Sequence, residues 1–291
     1  IITLCPKQRQ TLLFSATYPP EIKKLFSKFM QNPKRIIVEE NQTELDIEQL
    51  FYETNSQTNK FPLLKMLLLH YKPLSTLIFC NTKEQITQLA TQLNNTGFSA
   101  IALNGDMEQV ERDMAIIRFK NQSCSILVAT DVAARGLDIK ELPAVINFEL
   151  AFEHDVHIHR IGRTGRAGCK GLALSLTTPA DGQRLCAIEE NLKHPINWGN
   201  ANELNKTDST ILLPEMITLC LSIGKKDKIR PGDILGALTK EAGLAGNLIG
   251  KIDITALYSY VAVHQSQAKM ALDYLKNGKV KGRKVNVKKL T

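Results

Sequence analysis

What the chain lacks narrows its chemistry first. Its six cysteines (Cys5, Cys80, Cys124, Cys169, Cys186 and Cys220) are scattered. No Cys-x-x-Cys pair and no Cys/His cluster has zinc-site spacing. Reduced, buried thiols in a cytoplasmic protein are the expectation, with Cys169 the one to look for at the surface. No apolar run reaches the roughly 18 to 20 residues of a membrane span. The run "LLKMLLLHYKPL" (63–74) is short and carries lysines, so it reads as an amphipathic helix. There is no secretory signal, no internal repeat and no low-complexity tract. A Gly-rich phosphate loop is missing too: "IGKK" and "IGKI" lack its spacing and its following Ser or Thr. The chain opens on "IITLCPKQRQTLLFSAT" with no initiator Met, which reads like the middle of a domain and suggests a fragment.

The 291 residues suffice for about two domains, and a hydrophobic content of 43% is ordinary for a globular protein. The net charge of +8 is unevenly placed. From Ile217 onward stand 14 Lys+Arg against 5 Asp+Glu, which leaves 23 basic and 24 acidic residues before it. The last quarter therefore carries the whole basic excess. That is the footprint of a polyanion-binding module on a near-neutral body, or else a solvated basic face.

Along the chain, "TLLFSAT" (11–17) reads as a strand, 22–30 as a helix and "PKRIIVEE" (33–40) as a strand. The polar stretch 39–49 reads as a linker. Apolar runs at 75–80, 98–103, 124–130, 144–150 and 171–177 then alternate with helices at 83–95 and 108–120. Continuous apolar strands separated by amphipathic helices imply a parallel sheet covered on both faces. Ligands of such sheets sit at the C-terminal ends of the strands. The segments following those ends are "NT" (81–82), "NGD" (104–106), "DVAARGLD" (131–138) and "HRIGRTGRAG" (159–168), all polar or charged and expected to converge. Residues 194–210 are rich in Asn and turn formers and mark a boundary. The remainder reads strand (216–223), helix (232–242), strand (249–254), strand (258–263), helix (266–276), strand (283–289), an RRM-like order.

The segment 159–168 sets Arg160, Arg163 and Arg166 three apart, with Gly162, Gly165 and Gly168 between them. Three guanidiniums so close repel one another, and glycine weakens a helix. An arginine aimed at a transferring phosphoryl group stabilises its spreading charge and contributes about 10³ to 10⁵ in rate. If the segment opens a helix, Arg163 and Arg166 share one side. The alternative is a surface basic loop. In "ATDVAARGLDI" (129–139), Thr130 can bond a nucleic-acid phosphate and Asp138 a ribose hydroxyl, although Asp138 alone could be a turn residue.

Together "SAT" (15–17), "LIFCNT" (77–82), "LNGDMEQVERD" (103–113), "ATDVAARGLDI" and "HRIGRTGRAG" resemble motifs III, IV, IVa, V and VI of the DEAD-box RNA helicases, in order, over roughly residues 1–195. The resemblance implies two RecA-like lobes, with Arg163 and Arg166 as arginine fingers on ATP, and Gly136 and Asp138 as nucleotide contacts. It implies RNA-backbone contacts from Gly105, Arg112 and Thr130. Ser15 and Thr17 match the motif that couples hydrolysis to unwinding, and His159 matches a link between the lobes. The Mg²⁺ ligands and the catalytic base of that family lie on the first lobe, which precedes Ile1 on this reading, so this chain alone is expected to be inactive.

The tail resembles the RNA-binding domain of the bacterial DbpA subfamily, whose members are directed to a hairpin of 23S ribosomal RNA. That implies RNA, a pre-50S particle and the missing N-terminal lobe as partners, and no membrane. Lys225, Lys226, Lys228 and Arg230 cluster before its first helix, and Lys279, Lys281, Arg283 and Lys284 before its last strand. Tyr258 and Tyr260 alternate on one strand face, where they either stack bases or pack against the domain's own loops. "LYSYVAVH" departs from the usual RRM signature, which shifts weight to the lysines. The expected division is 1–39 the end of a first lobe, 40–195 a second lobe, 196–213 a linker and 214–291 an RRM-like domain. The competing reading is a stand-alone RNA-binding module without ATPase activity.

Overall fold

The computed structural model describes residues 5–6, 8–14, 29–30, 33–34, 36, 46–134, 139, 141–165, 170–190, 192, 195–204 and 210–290. The chain divides into a unit of residues 1–44 and a unit from Leu45 to Thr291. In the first unit Thr11–Phe14 form no strand, and neither do Pro33, Lys34 and Ile36. The rest of the elements expected before residue 44, Ser15 and Thr17 among them, lies outside the described residues.

The second unit opens on a strand that the sequence conceals. β1 (Ile47–Glu53) begins inside the polar stretch read as a linker and pairs parallel with β6 (Gly171–Thr177). Glu48 and Gln49 mask it, while Phe51 and Tyr52 are buried. With β2 (Thr76–Phe79), β3 (Ala100–Leu103), β4 (Ile126–Ala129) and β5 (Ala144–Asn147) it completes a six-stranded sheet in the order β1-β6-β5-β2-β4-β3. Every recorded pairing in this sheet is parallel.

Alternate residues of each short strand feed opposite cores. Ile78, Val128, Ile146 and Leu174 meet Leu64 and Leu67 of α1 (Lys60–Tyr71) and Ile86, Leu89 and Leu93 of α2 (Lys83–Asn95). Leu77, Phe79, Leu127 and Val145 meet Ala115 and Phe119 of α3 (Gln109–Lys120) on the other face. This is why those strands read as unbroken apolar runs. α2 starts where the Thr82 side chain accepts from the Gln85 amide at 3.2 Å, a cap contributing about 1 kcal/mol.

The edge of β1 is not left open. The Phe51 amide donates to Asn197 O at 2.9 Å and the Gly199 amide to Phe51 O at 2.8 Å. A Cβ on Gly199 would stand 2.2 Å from the Tyr52 ring, so only glycine passes there. Leu204 is buried in the same core and Ile211 packs against it. The described part of 196–213 thus lies fastened along the sheet.

Beyond it, β7 (Met216–Leu221), β8 (Ile249–Ile254), β9 (Ser259–His264) and β10 (Val287–Lys289) form an antiparallel sheet in the order β10-β7-β9-β8. Leu219, Leu221, Val261 and Val263 pack against α6 (Pro231–Gly236) and α7 (Gln265–Asn277) through Ile234, Ala271 and Leu275. On the opposite face Thr218, Cys220, Tyr260 and Ala262 are also buried. There the six-stranded lobe docks. Ser123 Oγ and Thr218 Oγ1 share a 2.6 Å hydrogen bond, and Asn121 Nδ2 donates to the same Thr218 oxygen at 3.4 Å.

Candidate functional site

The described parts of the four polar segments lie at the C-terminal edge of the six-stranded sheet, Asn81, Asp131 and Arg160 in direct contact and Asp106 reached through Lys83. α5 (His154–Ile161) ends just before Arg163, so the arginine segment closes a helix and does not open one. Arg160, 1% exposed, reaches from α5 into the edge. Its Nε and Nη2 form a fork on Asp131 at 2.7 and 2.8 Å. Nη2 also donates to Asn81 Oδ1 at 2.9 Å, and Nη1 to Glu149 O at 2.6 Å and Asn147 Oδ1 at 3.4 Å. Its guanidinium carbon lies 5.0 Å from the centre of the Phe79 ring. A single cation therefore gathers the ends of β2, β4 and β5.

Around it stand the other candidates. Thr130 Oγ1 accepts from the Ala133 amide at 3.2 Å and opens the short α4 (Asp131–Ala134). Arg112 Nη2 donates to Ala133 O at 2.6 Å. Lys83 pairs with Asp106, next to the exposed Gly105. His159 is exposed and Arg163 half-buried. The Leu142 amide donates to Arg163 O at 3.1 Å, which fixes the backbone of that turn. Gly165 follows at φ +68, where a Cβ would strike Ile47 at 2.4 Å. One glycine of the run is thus required by close approach to β1. Arg166, Gly136, Asp138 and Cys169 lie outside the described residues.

His157, one turn before this edge, is buried and stacks on Phe51 at 6.0 Å. Burial, helped by the charges of Arg160 and His154, pushes its pKa down to about 4, so it is neutral at pH 7. Among the described residues, no group of three or more His, Cys, Asp or Glu side chains could hold a metal ion, and none of them is assigned to Mg²⁺.

In the antiparallel domain the structure joins two clusters that the sequence holds some 50 residues apart. Asp227 and Asp233 each accept a backbone N–H at the head of their own turn, from Gly224 at 3.1 Å and Arg230 at 2.8 Å. The same carboxylates take the second cluster. Arg283 Nη1 lies 2.9 Å from Asp227, and Lys281 Nζ lies 3.3 Å from Asp233. Lys281 also donates to Lys228 O at 2.7 Å. The Arg230 amide, with Lys281 beside it, holds the Asp233 carboxyl below the usual range. Lys225, Lys226, Lys228, Arg230, Lys279 and Lys284 are exposed and form no salt bridge among the described residues. Lys228 and Lys281 both adopt the left-handed region, at φ 58 and 53, which costs a non-glycine residue about 1 kcal/mol or more.

Two folded parts with these features have counterparts among known proteins. Residues 59–168 match the family described as helicase conserved C-terminal domain, and residues 218–289 the DbpA RNA binding domain. Over 290 residues the chain is 47% identical to the ATP-dependent RNA helicase DbpA of Escherichia coli (strain K12), covering 100% of this chain and 63% of that protein. The chain belongs to the DbpA subfamily of DEAD-box helicases. It corresponds to the C-terminal part of such a protein. The DbpA of Bacillus subtilis (strain 168) is 37% identical over 310 residues, with 99% of this chain and 64% of that one covered. The chain thus spans a little under two thirds of the length of both relatives. Among solved structures, S. cerevisiae Dbp5 bound to RNA and ADP BeF3 superposes with a TM-score of 0.61 at 30% identity, over 69% of this chain and 54% of that one.

The two tyrosines proposed for base stacking in this DbpA-type domain part company. Tyr258 precedes β9 and is exposed, whereas Tyr260 is 2% exposed on the face that meets the lobe. Burial, with Cys220 and Asp113 of α3 adding to it, pushes the Tyr260 hydroxyl up to about 12. Its ring offers no face to a base in this arrangement. Sequence reasoning passed over Arg160, which the motif displays next to His159, because nothing in the sequence separates a buried arginine from an exposed one.

Proposed function

We propose that this chain is the C-terminal part of an ATP-dependent RNA helicase, with the work divided between its two sheets. The six-stranded lobe presents Arg163 and Arg166 to the γ-phosphate of an ATP bound by a first RecA-like lobe, of which residues 1–39 are the end. Gly136 and Asp138 meet the nucleotide, with Asp138 on the ribose. Guanidinium suits the finger role because it stays charged and forks onto two oxygens. Mg²⁺ and the catalytic base belong to the first lobe, where the ion offsets charge on the phosphates. Gly105, Arg112 and Thr130 take the RNA backbone, while Ser15, Thr17 and His159 couple closure of the lobes to local melting of a duplex.

The second sheet directs the enzyme. Lys225, Lys226, Lys228, Arg230, Lys279 and Lys284 grip phosphates of a 23S ribosomal RNA hairpin, with Lys281 and Arg283 bracing the loops and Tyr258 free to stack. The role is in assembly of the large ribosomal subunit, on pre-50S particles in the cytoplasm. The observation that carries this reading is the fusion of two distant basic clusters into one edge, through Asp227 and Asp233. The test is titration of the 291-residue chain against 23S ribosomal RNA fragments and an unrelated duplex of equal length. Preferential binding of one hairpin is expected, and equal affinity for every duplex would reduce the domain to a generic clamp. The chain by itself should show no RNA-stimulated ATPase, and turnover from pure material would overturn the two-lobe assignment.

A further inference from the structure

Arg160 and Arg163 of the 159–168 segment are not equivalent, the first being buried and the second half-buried. A guanidinium has five N–H donors, and each N–H of Arg160 has an acceptor: two oxygens of Asp131, Asn81 Oδ1, Asn147 Oδ1 and Glu149 O. It has no donor left for phosphate or RNA. Among the described residues its one charged partner is Asp131, 26% exposed in its side chain. As a device for stability alone this is poor, because buried ion pairs seldom exceed well-packed apolar residues in stability. What they fix well is relative position.

We propose that Arg160 is a positioning residue that locks the Thr130–Ala134 turn to the helix and turn bearing His159 and Arg163, so that RNA held by the one sets the geometry of the other. The candidates of the edge surround it at one remove. Asp131 follows Thr130 in the chain, and it opens the turn whose Ala133 carbonyl holds Arg112. His159 precedes Arg160, and the Arg163 amide donates to Arg160 O at 3.2 Å. Asn81, at the end of β2, is bound from both sides: its side chain accepts from Arg160 and donates to Leu150 O at 3.0 Å. A shift of the RNA-side turn therefore carries the arginine turn with it.

This inference rests on the helicase reading, and its test separates the two. Arg160→Lys keeps the charge but cannot fork, and with three N–H donors leaves at least two of the five acceptors unfilled. In the full-length protein, with its first lobe, the ratio of RNA-stimulated to unstimulated kcat should fall about tenfold or more, since a displacement near 1 Å can cost up to about 10² in rate. RNA affinity should stay within about twofold, because the lysine edge is untouched. Asp131→Asn cuts the same fork from the other side and should match that loss, and the double variant should lose little more, as expected for one shared interaction. In the 291-residue chain, amide exchange at Ala133 and Ala134 should quicken about tenfold in either variant, while β4 stays protected.

Unchanged stimulation in Arg160→Lys, or losses that multiply in the double variant, would overturn the positioning role with the helicase reading intact. Unchanged exchange at Ala133 and Ala134 would overturn it even if the kinetic variants proved unstable. A wild-type full-length protein without RNA-stimulated ATPase would remove the helicase reading, and this proposal with it.

Discussion

Salt dependence separates the basic side chains that the sequence cannot tell apart. Of the eight in the two clusters, Lys281 and Arg283 are tied to carboxylates. Six stand exposed without such a partner among the described residues: Lys225, Lys226, Lys228, Arg230, Lys279 and Lys284. Each phosphate neutralised adds about 0.8 to the slope of log affinity against log salt, so full engagement gives a slope of roughly −5 and a loss of about a thousandfold from 50 to 200 mM. Replacing Lys225 and Lys226 by Gln should shift the slope to roughly −3 and shrink that loss to about a hundredfold. Arg283→Gln removes a charge already matched by Asp227 at 2.9 Å, so the slope should change by less than about 0.5. The assay is fluorescence anisotropy of a labelled 23S ribosomal RNA hairpin at five or more salt concentrations, with melting temperature as the folding control. An unchanged slope in the double variant, or a full phosphate's worth lost with Arg283, would refute the division into gripping and bracing residues.

Two further outcomes can be checked on the same chain. Tyr260→Leu should leave RNA affinity within about twofold, whereas an exposed ring stacked on a base would contribute about 1 to 3 kcal/mol; a tenfold loss with folding intact would mean that the domain leaves the lobe to bind RNA. The neutral, buried His157 should make the fold acid-sensitive. Its folded pKa of about 4 lies below the unfolded value of 6.5. The unfolded state therefore takes up the proton first, and stability is lost as pH falls from about 6.5 to about 4, by at most about 3 kcal/mol. His157→Phe keeps a ring against Phe51 and should flatten that slope in urea melts, and an unaltered slope would refute the assignment.

How far the fold could be read depended on which side of an element met water. The helix over Lys83–Asn95 and the strands Gly171–Thr177 and Ile249–Ile254 were legible to the residue, because their apolar runs and spacing marked them. β1 was hidden, because the adjacent Glu48 and Gln49 break the apolar pattern of an edge strand. The edge itself is closed by residues 197–199, a tertiary partner that no local pattern announces. Helix 232–242 was legible as an element, but not its change from α geometry over Pro231–Gly236 to a π turn over Ala237–Glu241.

The same limit operates on the site, with a more useful result. Sequence assigns a charge to each arginine and lysine but not a counter-charge, and the counter-charge decides the role. Arg160 and Arg163 are identical in type and three residues apart, yet one is buried among five acceptors and the other is half-buried in the turn that follows the helix. Lys281 and Lys284 likewise share one loop, and Asp233 holds only the first. The carboxylates that sort them, Asp131, Asp227 and Asp233, sit 29, 56 and 48 residues away from Arg160, Arg283 and Lys281. A functional reading of such basic runs therefore has to start from the acids. In the antiparallel domain the lysine and arginine that Asp233 and Asp227 hold are architecture, and the exposed cations beside them are the candidates for phosphate.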